Sequence, residues 1–151
     1  MKKALAIFGG IVLVLLLALG SVVLYFARIG SSLDASSKAY VDSIVPVIAS
    51  GWSVEELEKR SSPQFLKVAK HDQIVILFSK LSQLGALKHY DGAKGDSNIS
   101  FTTKEGKVVS AKYLAHATFE NGDADIRIAL IQIESQWQIL SFFVNSPILL
   151  R

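Results

Sequence analysis

Residues able to carry out chemistry are few in this chain, and their spacing matches none of the common catalytic patterns. The three histidines, His71, His89 and His116, are not spaced as metal ligands on one helix or strand. There is no cysteine to act as a nucleophile, to form a disulfide or to bind zinc. The sequence also lacks a phosphate-binding loop, a nucleophile elbow, a zinc-protease helix motif and a dinucleotide-binding glycine pattern. It therefore predicts no catalytic residue, no metal site and no cofactor.

His116 and a pair of aspartates are the strongest exceptions to this pattern. His116 is predicted to oppose Arg127 across a hairpin, and a nearby cation disfavours the charged imidazolium. Asp123 and Asp125 are close in sequence, but paired carboxylates act as acid and base only when a cleft buries them. All four residues are predicted to lie near a hairpin tip on the outward side of a sheet. We therefore interpret them as solvated surface residues.

The N-terminal segment explains why the 151-residue chain is 50% hydrophobic with a mean hydropathy of +0.38. Residues 4–27 carry no charge, and as a helix they would measure about 36 Å, which exceeds the ~30 Å hydrocarbon core of a bilayer. We predict a transmembrane signal anchor at 1–28, a linker at 29–33, an α+β domain at 34–146 and a C-terminal tail at 147–151.

The charges around the apolar segment predict its orientation. Lys2 and Lys3 precede it and only Arg28 follows. We therefore expect a single-pass protein of a bacterial inner membrane, with its N-terminus in the cytoplasm and its domain in the periplasm. Cleavage of a signal peptide after Gly20 is the alternative, although the apolar run continues to residue 27, beyond the usual signal-peptide length. The spacing of Ala6 and Gly10 would allow two such helices to approach closely.

The rest of the chain is electrically balanced, which bears on its partners. The remaining 13 lysines and arginines equal the 13 aspartates and glutamates in number. A nucleic-acid-binding surface needs clustered cations to displace counterions from phosphates. The sequence therefore predicts no nucleic-acid partner.

Helix signals dominate the first half of the domain. Gly30-Ser31-Ser32 is expected to break the apolar helix, and a new helix from Asp34 is expected to kink or end at Pro46. Ser53 and Glu56 form a capping box, and Ser62-Pro63 marks a short helix to residue 69. A third helix is predicted from Asp72 to Gly85. Its apolar face would consist of Ile74, Leu77, Phe78, Leu81 and Leu84.

After Gly85 the hydrophobic period changes from 3.6 to 2, which predicts an antiparallel sheet of four to five strands with the helices packed on one side. The segments are 87–94, 98–103, 108–120, 123–134 and 137–145. Asn121-Gly122 suits a type I′ turn that pairs Phe119 with Ala124. This register predicts one core surface formed by Tyr113, Ala115, Ala117, Phe119, Ala124, Ile126, Ile128 and Leu130.

The last strands are apolar on both sides, which is unusual for a sheet with one wetted side. With a two-residue loop at Ser135-Gln136, Trp137, Ile139 and Phe143 would point to the core, and a slip of one residue would exchange the two sets. The outward residues are interface candidates: Leu114, Ala129, Ile131, Ile133, Leu140, Phe142 and Val144. The inward residues Tyr113, Ala115, Ile128 and Leu130 are candidates for lining a pocket.

The segments Phe119-Glu120-Asn121-Gly122-Asp123-Ala124-Asp125-Ile126 and Trp137-Gln138-Ile139-Leu140-Ser141-Phe142 resemble the final hairpins of the cystatin-like, nuclear transport factor two-like superfamily. They are particularly similar to small bacterial families of unknown function with this ending. The resemblance covers roughly residues 34–146 and implies a cone-shaped α+β domain whose helices and curved sheet can enclose a pocket. The superfamily includes isomerases, dehydratases, transport adaptors and membrane-anchored assembly subunits of type IV secretion systems.

These observations favour a non-enzymatic, membrane-anchored module that binds a protein partner or a second copy of itself through the outward apolar residues. A domain holding a small apolar ligand near Tyr113 and Ile128 is the alternative. An isomerase-like enzyme is a third hypothesis, and it would require a buried acid or base beside Tyr113.

Overall fold

The computed structural model describes the backbone of residues 2–150 and the side chains of residues 13–150. Over these residues it is an α+β structure with one long apolar N-terminal helix, three short α-helices and an open antiparallel sheet of four strands. The chain divides into two compact units, 1–33 and 34–151. The predicted small-residue contact at Ala6 and Gly10 lies outside the residues whose side chains are described, as does Arg151.

Helix α1 spans Lys2–Gly51 and supplies the whole of the described first unit. Its large apolar side chains between Leu13 and Phe26 are 50–68% exposed. Within the described residues it is the one helix long and apolar enough to cross a membrane. An exposed apolar surface of this extent is unfavourable in water and favourable in lipid.

The predicted break at Gly30-Ser31-Ser32 is wrong, because α1 continues through these residues and the predicted linker at 29–33 is helical. Ser31 and Ser32 donate their hydroxyl hydrogens to the carbonyl oxygens of Arg28 and Ile29, at 3.0 and 2.9 Å. Both hydroxyls are therefore satisfied within the helix. The propensity cost of one glycine and two serines is about 2 kcal/mol or less, too small to interrupt a helix that is continuous on both sides.

Within the second unit, α1 contributes a buried side to the core and continues past Pro46 to Gly51. The helix does not end at Pro46, although proline removes one backbone hydrogen bond at a cost of about 3 kcal/mol. The residues on either side of it are anchored by burial, which holds the last turn in place. These buried residues are Val41, Ile44, Val45, Ile48 and Ala49.

Three short helices follow α1, and the first two begin at the capping signals that the sequence contains. The three helices are α2, Val54–Lys59, α3, Pro63–Val68, and α4, His71–Leu81. The Ser53 and Ser62 hydroxyls accept hydrogen bonds from the N–H groups of Glu56 and Phe65, both at 3.2 Å. These bonds confirm the two predicted N-caps, each typically contributing about 1 kcal/mol.

Helix α4 packs its predicted apolar face into the core, with Ile74, Phe78 and Leu81 buried and Leu77 half-buried. A 3-10 turn, Ser82–Leu84, follows it, and Leu84 is buried as well. Gly85 has a φ of 79°, which only glycine adopts without strain, and it ends the helical region as predicted.

The sheet has the order β1-β2-β3-β4, formed by Leu87–Thr102, Gly106–Phe119, Gly122–Ile133 and Gln136–Asn145. The first two predicted segments form the single strand β1. An Asp-Gly pair is typical of a turn, but at Asp91-Gly92 the pairing with β2 shifts between Tyr90 and Ala93, which makes this site a bulge. A φ of 83° at Gly92 accommodates it.

The inner face of the sheet, which packs against the helices, consists of the residues predicted for it. All eight predicted core residues on β2 and β3 are at most 4% exposed. The predicted register is wrong by two residues, because Ala117 faces Ala124 and Tyr113 faces Ile128. A two-residue shift leaves every side chain on its original face, so the prediction of the core was correct despite the error.

Tertiary hydrogen bonds explain why the hairpin turns at Glu120 and Asn121 instead of at Asn121-Gly122. The N–H of Glu120 donates to the Ala86 carbonyl, at 3.0 Å, and the N–H of Asn121 donates to the Leu84 carbonyl, at 2.9 Å. The Glu120 carboxylate accepts a bond from the Ala86 N–H, and the Asn121 amide donates to the Gln83 carbonyl, both at 3.0 Å. The turn is therefore fastened to the end of the helical region.

Two carboxylates of α1 accept hydrogen bonds from backbone N–H groups on the free edge of β1. Asp42 accepts hydrogen bonds from the Tyr90 hydroxyl at 2.9 Å and from the Ala93 N–H at 2.8 Å. Asp34 accepts one from the Ser97 N–H at 2.7 Å. Burial, together with the bond to Asp42, raises the pKa of Tyr90 well above its usual range. Edge N–H groups that are bonded in this way are not available to pair with another chain.

We predict that Asp42→Ala lowers the free energy of unfolding by about 2–3 kcal/mol, because the Tyr90 hydroxyl and the Ala93 N–H lose their acceptor. Lys38→Ala is the matched control, since it removes only the exposed ion pair to the same carboxylate and should cost at most about 1 kcal/mol. Urea unfolding of the full chain in detergent, followed by tryptophan fluorescence, measures both. Equal effects of the two variants would contradict the assignment of Asp42 as the edge acceptor.

Candidate interaction surface

A bulge in β4 decides which residues of the last strand face outward. Ile139 pairs with Leu130, whereas Ser141 pairs with Ala129, so Leu140 is an extra residue without a direct partner on β3. The extra residue inverts the direction of every side chain that follows it. Ile139 and Trp137, before the bulge, lie toward the core as predicted.

The predicted orientation of the residues after the bulge is wrong. Val144 is 3% exposed and belongs to the core, and Phe142 packs edge to face on Phe78 of α4 with ring centroids 6.2 Å apart. Phe142 and Val144 are therefore not candidates for an interface. Phe143, predicted to point inward, is instead 58% exposed on the opposite side of the sheet.

The outer face of the sheet therefore carries a revised apolar surface, which we call the outer patch. Leu114 is 47% exposed, and Ala129, Ile131 and Ile133 are half-buried along β3. Leu140 is also half-buried, at the bulge beside the patch. The outer patch is defined by Leu114, Ala129, Ile131, Ile133 and Phe143.

One row of side chains crosses all four strands of the outer face. Lys94 pairs with Leu114, Leu114 with Arg127, and Arg127 with Phe143. The Arg127 guanidinium lies 6.0 Å from the centre of the Phe143 ring, within the range of a cation–π contact. The row therefore alternates cationic and apolar groups, and each apolar group adjoins a cation.

The next row, in the direction of the β1–β2 turn, contains smaller side chains and forms a groove. It consists of Asp96, Lys112, Ala129 and Ser141 on successive strands. The cavity has a volume of about 370 Å³ and opens to solvent, and it is bordered by the basic cluster Lys94, Lys112 and Arg127. None of the ion pairs found among residues 13–150 involves any of these three cations.

The predicted pocket residues lie in the packed core. Tyr113, Ala115, Ile128 and Leu130 are at most 4% exposed and belong to one continuous hydrophobic cluster. The Tyr113 hydroxyl is 2.8 Å from the Ser37 hydroxyl and donates to the Asp34 carbonyl at 3.2 Å. The hydroxyl is thus hydrogen-bonded to α1, and the groove that Tyr113 and Ile128 border opens on the outer face.

His116 faces Asp125 instead of Arg127, as a result of the two-residue shift in register. Its Nδ1 lies 2.8 Å from an Asp125 carboxylate oxygen, and both side chains are about half exposed. The hydrogen bond to Asp125 raises the pKa of His116, which is the reverse of the effect expected from Arg127. The pair lies on the exposed outer face, where it forms a surface ion pair when His116 is protonated.

His71 and His89 are exposed and lie close to the carboxylates of Glu58 and Asp91. Within residues 13–150, no group of three or more potential metal-ligating side chains lies close together.

Sequence reasoning missed two features of the surface. The basic cluster comes from three strands, and only the pairing register brings its members together. A second group of exposed apolar side chains lies on α3 and α4 and consists of Leu66, Val68, Val75 and Ile76. The signal was present in the sequence for Val75 and Ile76, because both fall outside the apolar face predicted for the third helix.

Comparison with protein-family models, with curated proteins and with solved structures finds no match to this chain. The resemblance to the cystatin-like superfamily therefore stays a prediction, and the function has to be argued from the geometry.

We predict that Val144→Asp and Phe143→Asp, although adjacent in sequence, have opposite consequences for stability. Val144→Asp buries an unpaired carboxylate and should lower the free energy of unfolding by about 3 kcal/mol or more. Phe143→Asp lies on the outer face and removes only the exposed contact with Arg127, so it should change the free energy of unfolding by about 1 kcal/mol or less. Urea unfolding of the two variants tests the bulge directly. The reverse order of stability would show that β4 runs without the extra residue.

Proposed function

We propose that this protein is a single-pass membrane protein whose domain, residues 34–146, lies in the periplasm and acts as a non-enzymatic interaction or assembly module. The outer patch is the proposed contact surface, and its occupant is a second copy of the chain or a protein partner. The observation that carries this proposal is the group of exposed and half-buried apolar side chains on the outer face of the sheet, opposite the face that forms the core of the 34–150 unit.

The membrane part of the proposal is supported by α1, whose large apolar side chains between Leu13 and Phe26 are solvent-exposed in the isolated chain. Lys2 and Lys3 before the apolar segment and a single Arg28 after it support a cytoplasmic N-terminus in a bacterial inner membrane. A retained anchor fits the length of this run better than a cleaved signal peptide ending at Gly20 does.

The absence of enzymatic activity is supported by the chemistry of the inner face. Its eight core residues on β2 and β3 include no carboxylate and no imidazole, and the single hydroxyl, on Tyr113, is hydrogen-bonded to α1. General acid–base catalysis needs a titratable group within hydrogen-bond reach of a substrate. Among these eight residues only the Tyr113 hydroxyl is such a group, and its hydrogen bonds to α1 already occupy it.

A second candidate function is the binding of a small apolar ligand. It is favoured by one recess, which does not lie at the predicted pocket near Tyr113 and Ile128. The recess has a volume of about 160 Å³ and is bordered by side chains of α2, α3, α4 and β4. This volume is below the 300–1,000 Å³ typical of ligand pockets. We therefore place this function second.

The membrane topology has a direct test, because the chain contains no cysteine. We predict that a cysteine replacing Glu105, in the exposed β1–β2 turn, reacts with a membrane-impermeant maleimide added to cells whose outer membrane has been permeabilised. A cysteine replacing Lys3 should react only after the inner membrane is disrupted. Intact mass measurement of the same samples should give the uncleaved chain. The opposite labelling pattern, or a mass starting at Ser21, would overturn the topology.

The assembly role predicts that Leu114→Asp combined with Phe143→Asp abolishes a crosslinked complex that the wild-type chain forms in its membrane. Both side chains are exposed, so the double variant should fold, and two carboxylates on the patch oppose the burial that stabilises an interface. Chemical crosslinking in membranes and native mass spectrometry of the detergent-solubilised chain measure the complex.

Leu66→Asp combined with Ile76→Asp is the matched control, since these residues are similarly exposed but lie on α3 and α4. The control should leave the complex intact. A strictly monomeric wild-type chain, or loss of the complex in the control alone, would remove the basis for the proposal.

A further inference from the structure

The basic cluster gives the outer patch a charge that the domain as a whole does not have. From residue 29 onward the chain has as many acidic as basic residues, yet the two rows around the groove hold three cations and one carboxylate, Asp96. In the row beyond Arg127, the Asp125 carboxylate is within hydrogen-bond distance of His116, and Asp91 and Asp123 also lie close enough to act on that histidine. The groove is therefore a locally cationic site in a neutral domain.

The cations adjoin apolar groups instead of forming a separate charged surface. Lys94 and Arg127 flank Leu114 on the two neighbouring strands, and Arg127 also contacts the Phe143 ring. An occupant that satisfies this arrangement must present anionic groups beside apolar ones at similar spacing. Inorganic anions alone would leave Leu114 and Phe143 uncovered.

The dimensions of the groove favour a helix as the occupant. Strands in a sheet are about 4.8 Å apart, so the flanking cations on β1 and β3 are separated by about 10 Å at the backbone. An α-helix with its side chains has a diameter of about 10–12 Å. The outward positions of β3 from Arg127 to Ile133, of which the last three are apolar, extend over about 20 Å. This length equals about 13 residues of helix.

The concave shape argues against a membrane surface as the occupant. A flat bilayer contacts protruding side chains, whereas this site is a shallow, open depression whose lining includes Ala129 and Ser141. A convex, rod-shaped partner fits such a depression more closely than a plane does. A lipid headgroup is thus the less suitable anion for this groove.

We propose that the outer patch binds an acidic amphipathic helix of a partner protein. The carboxylates of the helix contact Lys94, Lys112 and Arg127, and its apolar side chains cover Leu114, Ala129 and Phe143. This inference rests on the proposed interaction function and specifies the chemistry of the partner. Complementary charge also speeds association and excludes basic partners.

The test uses the full chain in nanodiscs of zwitterionic phosphatidylcholine and a fluorescent 16-residue amphipathic helix with glutamates beside a leucine stripe. The same peptide with glutamine in place of every glutamate is the reference. Fluorescence anisotropy should show that the acidic peptide binds at least about tenfold more tightly, with the difference shrinking as salt increases. Equal affinity of the two peptides would overturn the inference.

Charge reversal locates the binding site. Lys94→Glu, Lys112→Glu and Arg127→Glu, combined, should abolish the preference for the acidic peptide. Lys67→Glu, Lys70→Glu and Lys80→Glu, combined, change the net charge equally but lie on or beside α3 and α4, and they should retain the preference. Retention in the first variant or loss in the second would contradict the assignment.

Three further outcomes distinguish a helix-binding groove from a lipid site, from an apolar interface that is indifferent to charge, and from a face that forms no interface. The wild-type chain could bind phosphatidylglycerol vesicles, show no preference for the acidic peptide, and lose the vesicle binding in the first charge-reversed variant. That result would make the basic cluster a lipid site and overturn the inference. If the crosslinked complex requires Leu114 and Phe143 but the peptides bind equally, the inference of an acidic helix fails and the proposed interaction function stands. If the complex does not require them, the proposed function itself fails.

Discussion

The alternation of side chains along β2 is the constraint on which the rest of the domain depends. Five of its inward positions, Ala111, Tyr113, Ala115, Ala117 and Phe119, are at most 4% exposed, while the residues between them face outward. Small alanine side chains at the centre leave room for the buried side of α1 against the sheet. Because successive residues of a strand point to opposite faces, this packing also forces Lys112, Leu114 and His116 outward. The packing of the core therefore decides which positions of β2 form the outer face.

The connections between α1 and β1 complete this arrangement through hydrogen bonds instead of apolar contact. Asp34 and Asp42 are separated by about two turns of helix, so they lie on the same side of α1. They accept bonds from Ser97 and from Ala93 and Tyr90 along the edge of β1. This edge would otherwise present open N–H groups. The core accounts for the inner face of the sheet, and these hydrogen bonds account for one edge. The outer patch is the part of the sheet whose apolar character the fold itself does not need.

The outer face also illustrates how charge and apolar area combine at a surface. An exposed leucine or a surface lysine taken singly is ordinary in a soluble domain. Here the register puts Lys94, Leu114, Arg127 and Phe143 in one line across four strands. In the proposed complex, apolar area supplies most of the favourable energy of association, and the cations restrict which partner can bind. The two parts of the surface therefore address affinity and specificity separately.

The sequence by itself determined the features that depend on local chemistry or on the alternation of side chains between the two faces of a strand. Ser53 and Ser62 begin helices because a side-chain oxygen before the first turn satisfies its free N–H groups. The core residues of β2 and β3 were predictable even with a wrong register, since a shift of two residues preserves the face. Tertiary contacts decided the rest. Residues 83–86 form hydrogen bonds with Glu120 and Asn121 and so set the position of the turn. One extra residue, Leu140, turns Phe143 to the outer face and Phe142 and Val144 to the core. The basic cluster exists only in the folded sheet, because its three residues are distant in sequence and meet through strand pairing alone.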